Sequence, residues 1–413
     1  MSWEPSTEII VLIAIWVIGH LSLFGVVEDR LKKISLFIVM LLMIAAYSVK
    51  PGTMDLWSYS VYFDTGKVSG GSLPSPEPGG YRLEDLPPEE RLGDPYHRRY
   101  PDSPLFAWTI QLLAKALPHG MFLPRFQVTS RGYVSDSLVF SVIGMGLILL
   151  VTATWNFLHD QLSTKERRQF LLTSTPIILG SVFFFVGSQN AIRQFLSLSV
   201  CILAFSFAGR KRFLLAAFAA TATIFTHQAG WAFVALGLVL LMLQNFRPAR
   251  VNEIRPLTLL TSDWIGLAVG LLILSSLLFL ASNEVYKFAY YSSLTDWRDQ
   301  FRSSTMLKAG ALCMSMIVSE FVAGNTLTTG VVNIRQLRRA AFFMVIPLLF
   351  LPEIFSRIYF FYLALEAVYI VWALTRDVRR VRLSGTLIFG IYAIAPNALN
   401  VLAGKGWYDI VGI

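Results

Sequence analysis

The feature that most constrains the fold is a succession of long apolar segments separated by short clusters of Lys and Arg. Each apolar segment runs for roughly 13 to 22 residues, close to the length an α-helix needs to cross about 30 Å of hydrocarbon. Globular proteins contain about 25% charged residues, whereas this chain has 15% charged and 55% hydrophobic residues. The sequence therefore predicts an all-α polytopic membrane protein, with residues 1–413 forming a single integral membrane domain.

The apolar runs predict about twelve spans. They lie at 8–27, 34–49, 137–158, 170–187, 191–208, 213–227, 229–243, 264–282, 305–323, 340–351, 357–375 and 384–402. The first span is not expected to be a cleaved signal peptide, because no Lys or Arg precedes it and a basic cluster follows it at 30–33.

The short connections between spans predict the orientation. One alternating set of connections holds 19 of the 35 Lys and Arg residues, whereas the opposite set holds four. The basic set includes the clusters Arg210, Lys211, Arg212 and Arg335, Arg338, Arg339. Cytoplasmic loops carry this excess, so both termini are predicted outside. The net charge of +9 thus reflects membrane orientation, and no nucleic-acid partner is expected.

This alternation requires that the apolar stretch within 103–118 does not cross the membrane. Ser103 is a candidate N-cap, Pro104 suits the first helical position and Pro118 closes the segment, which is too short to span. We therefore predict an interfacial helix at 103–118 within a large outer loop, 50–136. The earlier part of that loop is rich in Pro and Gly, so little regular structure is expected there.

Arg193 is the first ionisable residue that topology leaves unexplained. It follows a very short outer turn that contains Gln189 and Asn190, and it precedes Gln194. An Arg at this position can simply reach back to the interface. Alternatively, its planar guanidinium can hold phosphate oxygens in a two-pronged grip, with the neighbouring amides supplying further hydrogen bonds.

His227 lies at the outer end of the next predicted helix. A single His between apolar helices is often a hydrogen-bonded structural residue. Its predicted position, at the same end of the bundle as Arg193, favours a functional role.

Arg357 opens a later span, again at the outer end, and a polar stripe follows it. The stripe consists of Tyr359, Tyr362, Glu366 and Tyr369, which share one helical face. Such a stripe is expected to face the bundle interior, either in a functional site or as interhelical hydrogen bonding with Glu366 paired or protonated.

Further candidates lie in the outer loop. Asp55 and Tyr59 share a helical face just after the second span, and Arg98 and Asp102 precede the interfacial helix. For Asp55 the alternative is a solvated juxtamembrane carboxylate. The chain contains no Walker loop, no HExxH and no DxD pair, so the minimal residue sets for nucleotide hydrolysis, zinc proteolysis and metal-bound nucleotide-sugar transfer are lacking. No metal site is predicted.

The order of these motifs resembles the EpsG/Wzy group of bacterial polysaccharide (O-antigen and exopolysaccharide) polymerases over about residues 34–375. The motifs are Asp55-x-x-x-Tyr59, Asn190-x-x-Arg193-Gln194, the basic turn Gly209-Arg-Lys-Arg212, His227 and Arg357-x-Tyr-Phe-Phe-Tyr362. The resemblance implies a GT-C-like glycosyltransferase architecture. It also implies an inverting, metal-independent glycosyl transfer without a cofactor, at the outer face of the bacterial inner membrane.

The resemblance implies that polyprenyl-diphosphate-linked oligosaccharides are both donor and acceptor, and that the bilayer, a flippase and a chain-length regulator are partners. Arg193 and Arg357 would stabilise the diphosphate leaving group. His227, or else Asp55, would take the proton of the acceptor hydroxyl. The remaining substrate-binding candidates are Tyr59, Gln189, Asn190, Gln194, Tyr362, Arg98 and Asp102. Helix 103–118 would form part of the rim where the lipid carrier enters.

Other functions remain open from the sequence. A lipid-linked oligosaccharide flippase or another transporter would share the composition, although it needs a binding site near the midplane, whereas the candidate residues cluster at the outer end. An O-antigen ligase-like transferase would use the same residue types on a different acceptor. A membrane acyltransferase built on His227 lacks a companion motif.

Overall fold

The structure is a computed structural model of the chain. It describes residues 103–117, 136–188, 191–227, 334–345 and 352–376, together with Ile34, Tyr59, residues 229–231, 233–235 and 237–238, Gly310, Leu312, Cys313 and Met316. The predicted spans at 8–27, 264–282 and 384–402 lie outside these residues, as does most of the outer loop.

The described part of the chain is helical and contains no strand. Its helices are α1 (Pro104–Ala116), α2 (Asp136–Leu158), α3 (Thr164–Gly180), α4 (Val182–Gly187), α5 (Ile192–Gly209), α6 (Phe213–Thr226), α7 (Ile334–Val345) and α8 (Pro352–Arg376), with a 3₁₀ turn at His159–Gln161 after α2. The all-α class is therefore confirmed for these residues.

Two of the described helices are long and apolar enough to cross a membrane. They are the 21 residues Leu138–Leu158 of α2 and the 18 residues Ile192–Gly209 of α5, which extend for about 32 Å and 27 Å at 1.5 Å per residue. The shorter apolar helix α6 exposes large hydrophobic side chains, with Leu214 at 85% and Phe218 at 76%. An apolar surface of this kind is typical of a helix that faces lipid.

Helix α1 begins at Pro104 and ends at Ala116, two residues before Pro118, close to the bounds that the sequence predicts. Pro104 occupies its first turn, and Leu117, which precedes Pro118, is extended with φ −106° and ψ 137°. The residue before a proline is disfavoured in the α region, so the helix stops after 13 residues, or about 20 Å. That length is too short to span a bilayer.

Helices α5 and α6 form an antiparallel hairpin around the basic turn. Lys211 adopts a left-handed conformation with φ 58°. The Arg212 N–H donates to the Phe207 carbonyl at 2.9 Å, and the Lys211 N–H donates to the Ala208 carbonyl at 2.9 Å. This pattern is a Schellman cap, and its cationic side chains suit the negative end of the α5 dipole.

The predicted span 170–187 is divided into two helices, α3 and α4. The division falls at Ser181, whose Oγ donates to the Ile178 carbonyl at 2.7 Å and accepts the Phe184 N–H at 3.2 Å. The hydroxyl thus closes α3 and caps α4. The apolar run alone did not indicate this break.

Helix α2 runs parallel to α5, while α6 returns antiparallel to it. At one end, the Asn156 side chain of α2 donates to Ser206 of α5 at 3.3 Å. We call this the basic-turn end, because Arg210 lies there. The opposite end, where α5 begins and α6 ends, is called the Arg193 end. These directions agree with the alternation that the charge clusters predict for these helices.

The helix at the predicted tenth span begins earlier than the apolar run does. Helix α7 starts at Ile334, six positions before the predicted span 340–351. Arg338 was assigned to a cytoplasmic connection, but it lies within α7 and its side chain is 0% exposed. Its neutralising partner lies on α8, as described below.

Candidate functional site

At the Arg193 end, two sequence-predicted residues 134 positions apart are in direct contact. Arg193 Nε donates a hydrogen bond of 2.6 Å to the Tyr59 hydroxyl oxygen. The guanidinium carbon also lies 5.9 Å from the centroid of the Tyr59 ring. Tyr59 is 2% exposed, whereas Arg193 is partly exposed. The phenol therefore orients the guanidinium from the protein side.

Helix α1 holds Tyr59 in place. The rings of Tyr59 and Phe106 meet edge to face, with centroids 5.3 Å apart and planes at 70°. Phe106 is 1% exposed, and Ile110 on the same side of α1 is fully buried. The helix predicted to be interfacial thus supports the contact that orients Arg193.

The register of the α5–α6 hairpin brings His227 to the same end as Arg193. Ser197 Oγ donates to the Thr223 carbonyl at 3.0 Å. Arg193 lies one turn before Ser197, and His227 lies four residues after Thr223, so both lie one turn beyond this bond. Their proximity follows from the hairpin, as the sequence predicts.

His227 ends α6 in an extended conformation, with φ −153° and ψ 136°. Its Nδ1 accepts the Ala229 N–H at 3.1 Å, and its carbonyl accepts the Gly230 N–H at 2.7 Å. A Cβ at Gly230 would collide with the Thr223 carbonyl oxygen, so this turn requires glycine. Because Nδ1 is an acceptor here, the proton of the neutral ring lies on Nε2.

The backbone of Arg357 lies in the first two turns of α8, but its side chain lies outside the described part. Three residues later, Phe360 packs on Phe183 with centroids 4.7 Å apart, and Phe195 packs on Phe183 at 5.2 Å. A Cβ on Gly187 would approach Phe360 to 2.7 Å and Phe195 to 2.5 Å. Glycine at this position lets α4, α5 and the first half of α8 meet closely.

Gln194 and Tyr362 are placed in the bundle interior. Gln194 is 5% exposed, although the adjacent Arg193 is partly exposed. Tyr362 is fully buried, and its ring is stacked with Tyr359 at 6.4 Å and 10°. Neither side chain is accessible to a ligand in this arrangement. The other predicted site residues, Asp55, Gln189, Asn190, Arg98 and Asp102, lie outside the described residues.

Sequence reasoning missed a buried ion pair between α7 and α8. Arg338 Nη1 donates to both carboxylate oxygens of Glu366, at 3.0 Å and 2.8 Å. The Arg338 guanidinium carbon lies 3.8 Å from the centroid of the Tyr369 ring. Arg338 is 0% exposed and Glu366 1% exposed. Of the two interpretations of the polar stripe, this pair favours the one in which Glu366 makes an interhelical contact with a paired charge.

The spacing of the apolar residues in α7 could have indicated that Arg338 is buried. The buried positions of this helix recur at intervals of three and four: Ile334, Leu337, Arg338, Ala341, Phe342 and Val345. Arg338 occupies the apolar stripe itself. A cation in such a stripe, with a carboxylate in a neighbouring span, predicts an interhelical pair.

A second ionic cluster lies at the basic-turn end, near the surface. Arg210 Nη2 and His159 Nδ1 both contact Asp160 Oδ1, at 3.2 Å and 2.9 Å. Arg210 Nη1 also donates to Asn156 Oδ1 at 3.4 Å. The hydrogen bond from His159 and the nearby Arg210 charge lower the pKa of Asp160. This cluster ties α2 to the end of α5.

Comparisons of the chain with protein-family models, with curated proteins and with solved structures find no match. Among the described residues, no three His, Cys, Asp or Glu side chains come together as metal ligands. The Arg193 end offers an oriented guanidinium, a phenol and an imidazole, a set that can bind an oxyanion and donate hydrogen bonds to it.

Proposed function

We propose that this protein is a membrane glycosyltransferase that joins polyprenyl-diphosphate-linked oligosaccharide repeat units into a polysaccharide at the outer face of the bacterial inner membrane. The proposal includes about twelve spans in a GT-C-like architecture, with the Arg193 end facing outward. It includes a metal-independent inverting transfer.

The contact between Arg193 and Tyr59 is the observation that carries the proposal. Both residues belong to the motifs on which the resemblance rests. Because they are distant in the sequence, nothing in the motifs requires that they lie close together in the fold. Their direct hydrogen bond, with His227 at the same end of the bundle, supports one site assembled from three motifs.

Arg193 is suited to the leaving group. A diphosphate gains negative charge as the sugar departs, so a fixed cation beside it stabilises the transition state more than the ground state. The Tyr59 hydroxyl accepts from Nε, and the planar guanidinium is the group that would hold phosphate oxygens in this proposal. Arg357 is the second cation of this proposal.

His227 acts on substrate through Nε2 in this proposal. Because Nδ1 accepts the Ala229 N–H, the neutral imidazole presents Nε2–H as a donor to a phosphate or sugar oxygen. To take the acceptor's proton at Nε2, the ring would have to exchange its tautomer and lose the Ala229 bond. This geometry favours Asp55, which lies outside the described residues, as the base, and His227 as the donor.

The decisive experiment is polymerisation in vitro. Purified protein in nanodiscs is mixed with a polyprenyl-diphosphate-linked repeat unit from the producing strain and a metal chelator, and products are separated on a gel. We expect a ladder from the wild type and none from Arg193→Ala. Arg212→Ala is the matched control, because Arg212 lies on the same hairpin at the basic-turn end and is exposed; it should give the full ladder.

Other outcomes distinguish the alternative functions. Movement of the lipid-linked unit across a sealed vesicle, without a ladder, would identify a flippase. Transfer of a preformed glycan to a different lipid acceptor would identify a ligase-like transferase. A normal ladder from Arg193→Ala at equal protein level would contradict the assignment of the site.

A pair of substitutions tests the role of His227. In His227→Asn, the amide oxygen can replace Nδ1 as acceptor of the Ala229 N–H, but nothing replaces Nε2. In His227→Gln, the amide nitrogen lies near the position of Nε2 and remains a donor. We expect the Gln variant to retain more activity than the Asn variant. The reverse order would mean that His227 acts mainly by fixing the turn.

A further inference from the structure

The backbone carbonyl of Thr223 joins three parts of the structure at the Arg193 end. It accepts the Ser197 hydroxyl of α5 at 3.0 Å and the His227 N–H at 3.3 Å. A carbonyl oxygen has two lone pairs, so it can accept both bonds. A Cβ added at Gly230 would collide with the same oxygen, so the turn after α6 lies directly against it. We call the Ser197 hydroxyl, the Thr223 carbonyl and the His227 N–H the Thr223 junction.

The hydroxyl of Ser197 donates to the other helix of the hairpin and not to its own. Serine in a helix often donates to the carbonyl three or four residues earlier. Ser199, two residues later on α5, follows that pattern and donates to the Phe195 carbonyl at 2.8 Å. The bond from Ser197 to Thr223 therefore fixes α5 relative to α6, whereas the bond from Ser199 does not.

The junction is completely buried. Ser197 and Thr223 are both 0% exposed, so solvent does not compete for the bond between them. A hydrogen bond in such surroundings is stronger than it would be in water. It holds the two helices in register at one point, which lies one turn after Arg193 on α5 and one turn before His227 on α6.

The junction also holds the imidazole, because three successive bonds connect it to the ring. The His227 N–H is bound to the Thr223 carbonyl, and the His227 carbonyl accepts the Gly230 N–H at 2.7 Å. Nδ1 of the same residue accepts the Ala229 N–H at 3.1 Å. A displacement of the Thr223 carbonyl relative to α5 would therefore move the His227 ring relative to Arg193.

We propose that Ser197 is a positioning residue that fixes His227 relative to Arg193 through the Thr223 carbonyl. Ser197 is fully buried and acts on the imidazole without touching substrate. The effect of Ser197 on glycosyl transfer rests on the proposed function, whereas its effect on the imidazole does not.

The ¹⁵N resonances of the His227 ring test the proposal without relying on polymerisation. Full-length protein labelled at histidine is placed in nanodiscs at alkaline pH, where imidazole side chains are neutral. The His227 resonances are those lost in His227→Asn. Ser197→Ala is compared with Ser199→Ala, which also removes a buried hydroxyl from α5. Alanine is favourable in helices, and equal melting temperatures would show that both variants are folded.

We expect the wild type and Ser199→Ala to show a single tautomer, with Nδ1 unprotonated and Nε2 protonated. In Ser197→Ala the bond from Ala229 to Nδ1 should be partly lost, so the Nδ1 resonance should shift and the second tautomer should become detectable. A difference confined to Ser197→Ala would show that the bond between the two helices, and not the hydroxyl alone, orients the ring.

The polymerisation assay tests the consequence for transfer. A displacement of about 1 Å can reduce a rate about a hundredfold, so we expect Ser197→Ala to lower kcat by about ten- to a hundredfold. The loss of a donor that acts in the transition state should leave KM within about twofold of the wild type. Ser199→Ala should have the kcat and KM of the wild type.

Three results would overturn the proposal. An unchanged His227 spectrum in Ser197→Ala would show that the junction does not hold the ring. Equal spectral changes in Ser197→Ala and Ser199→Ala would show a general effect of packing in α5. A changed spectrum with an unchanged kcat, in a protein that forms the ladder, would show that transfer does not depend on this position of the ring. A wild type that forms no ladder would contradict the polymerase proposal, and the spectra would still decide whether Ser197 positions His227.

Discussion

Arg193 and Arg338 are two arginines in apolar helices with opposite environments. Arg338 is completely buried, and Glu366 neutralises its charge while the Tyr369 ring covers the guanidinium. Arg193 is partly exposed, and its Nε donates to the neutral hydroxyl of Tyr59. A ligand can reach Arg193 but not Arg338. The two arginines therefore differ in solvent accessibility, and only Arg193 suits the ligand-binding role that we propose.

The largest effect is expected when the buried pair is broken. Glu366→Leu leaves the Arg338 charge buried without its carboxylate, and removal of one partner from a buried pair costs about 3–5 kcal/mol. We expect a large loss of thermal stability in detergent, measured by the loss of monodisperse protein on heating. Arg193→Ala should leave the same curve almost unchanged.

A double substitution sharpens this prediction. Replacing both members, as Arg338→Met with Glu366→Leu, removes the charge together with its partner, and such replacements are often neutral or stabilising. We expect the double variant to recover most of the stability and to retain polymerising activity. A double variant that folds but makes no polymer would show that the pair has a function beyond packing.

A smaller but still large effect is expected from Arg193→Lys. The ammonium keeps the charge but loses the planar fork and the Nε donor to Tyr59. Loss of one oriented donor to a developing oxyanion reduces the rate by about 10²–10³, so we expect activity near 1% of wild type with normal stability. Activity close to wild type would show that charge alone is sufficient.

Tyr59→Phe should have an intermediate effect. The ring keeps its contact with Phe106, while Arg193 loses the hydroxyl that accepts from Nε. A hydrogen bond to a charged group contributes about 1.5–3 kcal/mol, and only part of this is expected to be lost in the transition state because the phenyl ring still packs beside Arg193, so we expect a rate reduction between about tenfold and a hundredfold. An unchanged rate across substrate concentrations would mean that Arg193 is oriented by other contacts.

Among the described residues, the sequence predicted where most helices lie but not how they pair. Apolar length and the two prolines predicted α1, and charge alternation predicted that Arg193 and His227 share one end. Residue spacing also predicted that Tyr362 and Glu366 face the bundle interior, where both are buried. Residue spacing determines which side chains share a helix face, and the alternation of spans determines which helix ends lie together. Both can be read from the sequence.

Contacts between distant segments could not be predicted. The Tyr59–Arg193 bond depends on the packing of Tyr59 against Phe106 of α1. The Arg338–Glu366 pair depends on the register of α7 against α8. The sequence analysis assigned basic residues beside a predicted span to a loop. Arg338 was therefore assigned to a loop, although it lies buried within α7. The break at Ser181 depends on a single hydroxyl that satisfies backbone groups on both sides.

The smallest effect is expected at the basic-turn end, where Asp160 contacts His159 and Arg210. The Asp160 side chain is 76% exposed, and exposed ion pairs contribute about 0–1 kcal/mol. The bond from His159 lowers the pKa of Asp160 from 3.8. A lowered carboxyl pKa contributes stability above the ordinary pKa, and this contribution is lost as the pH falls through the lowered value. Asp160→Asn should therefore cause a barely measurable decrease in melting temperature at neutral pH, and this difference should disappear in acid. A difference that grows in acid would mean that Asp160 acts on the fold by another route than its charge.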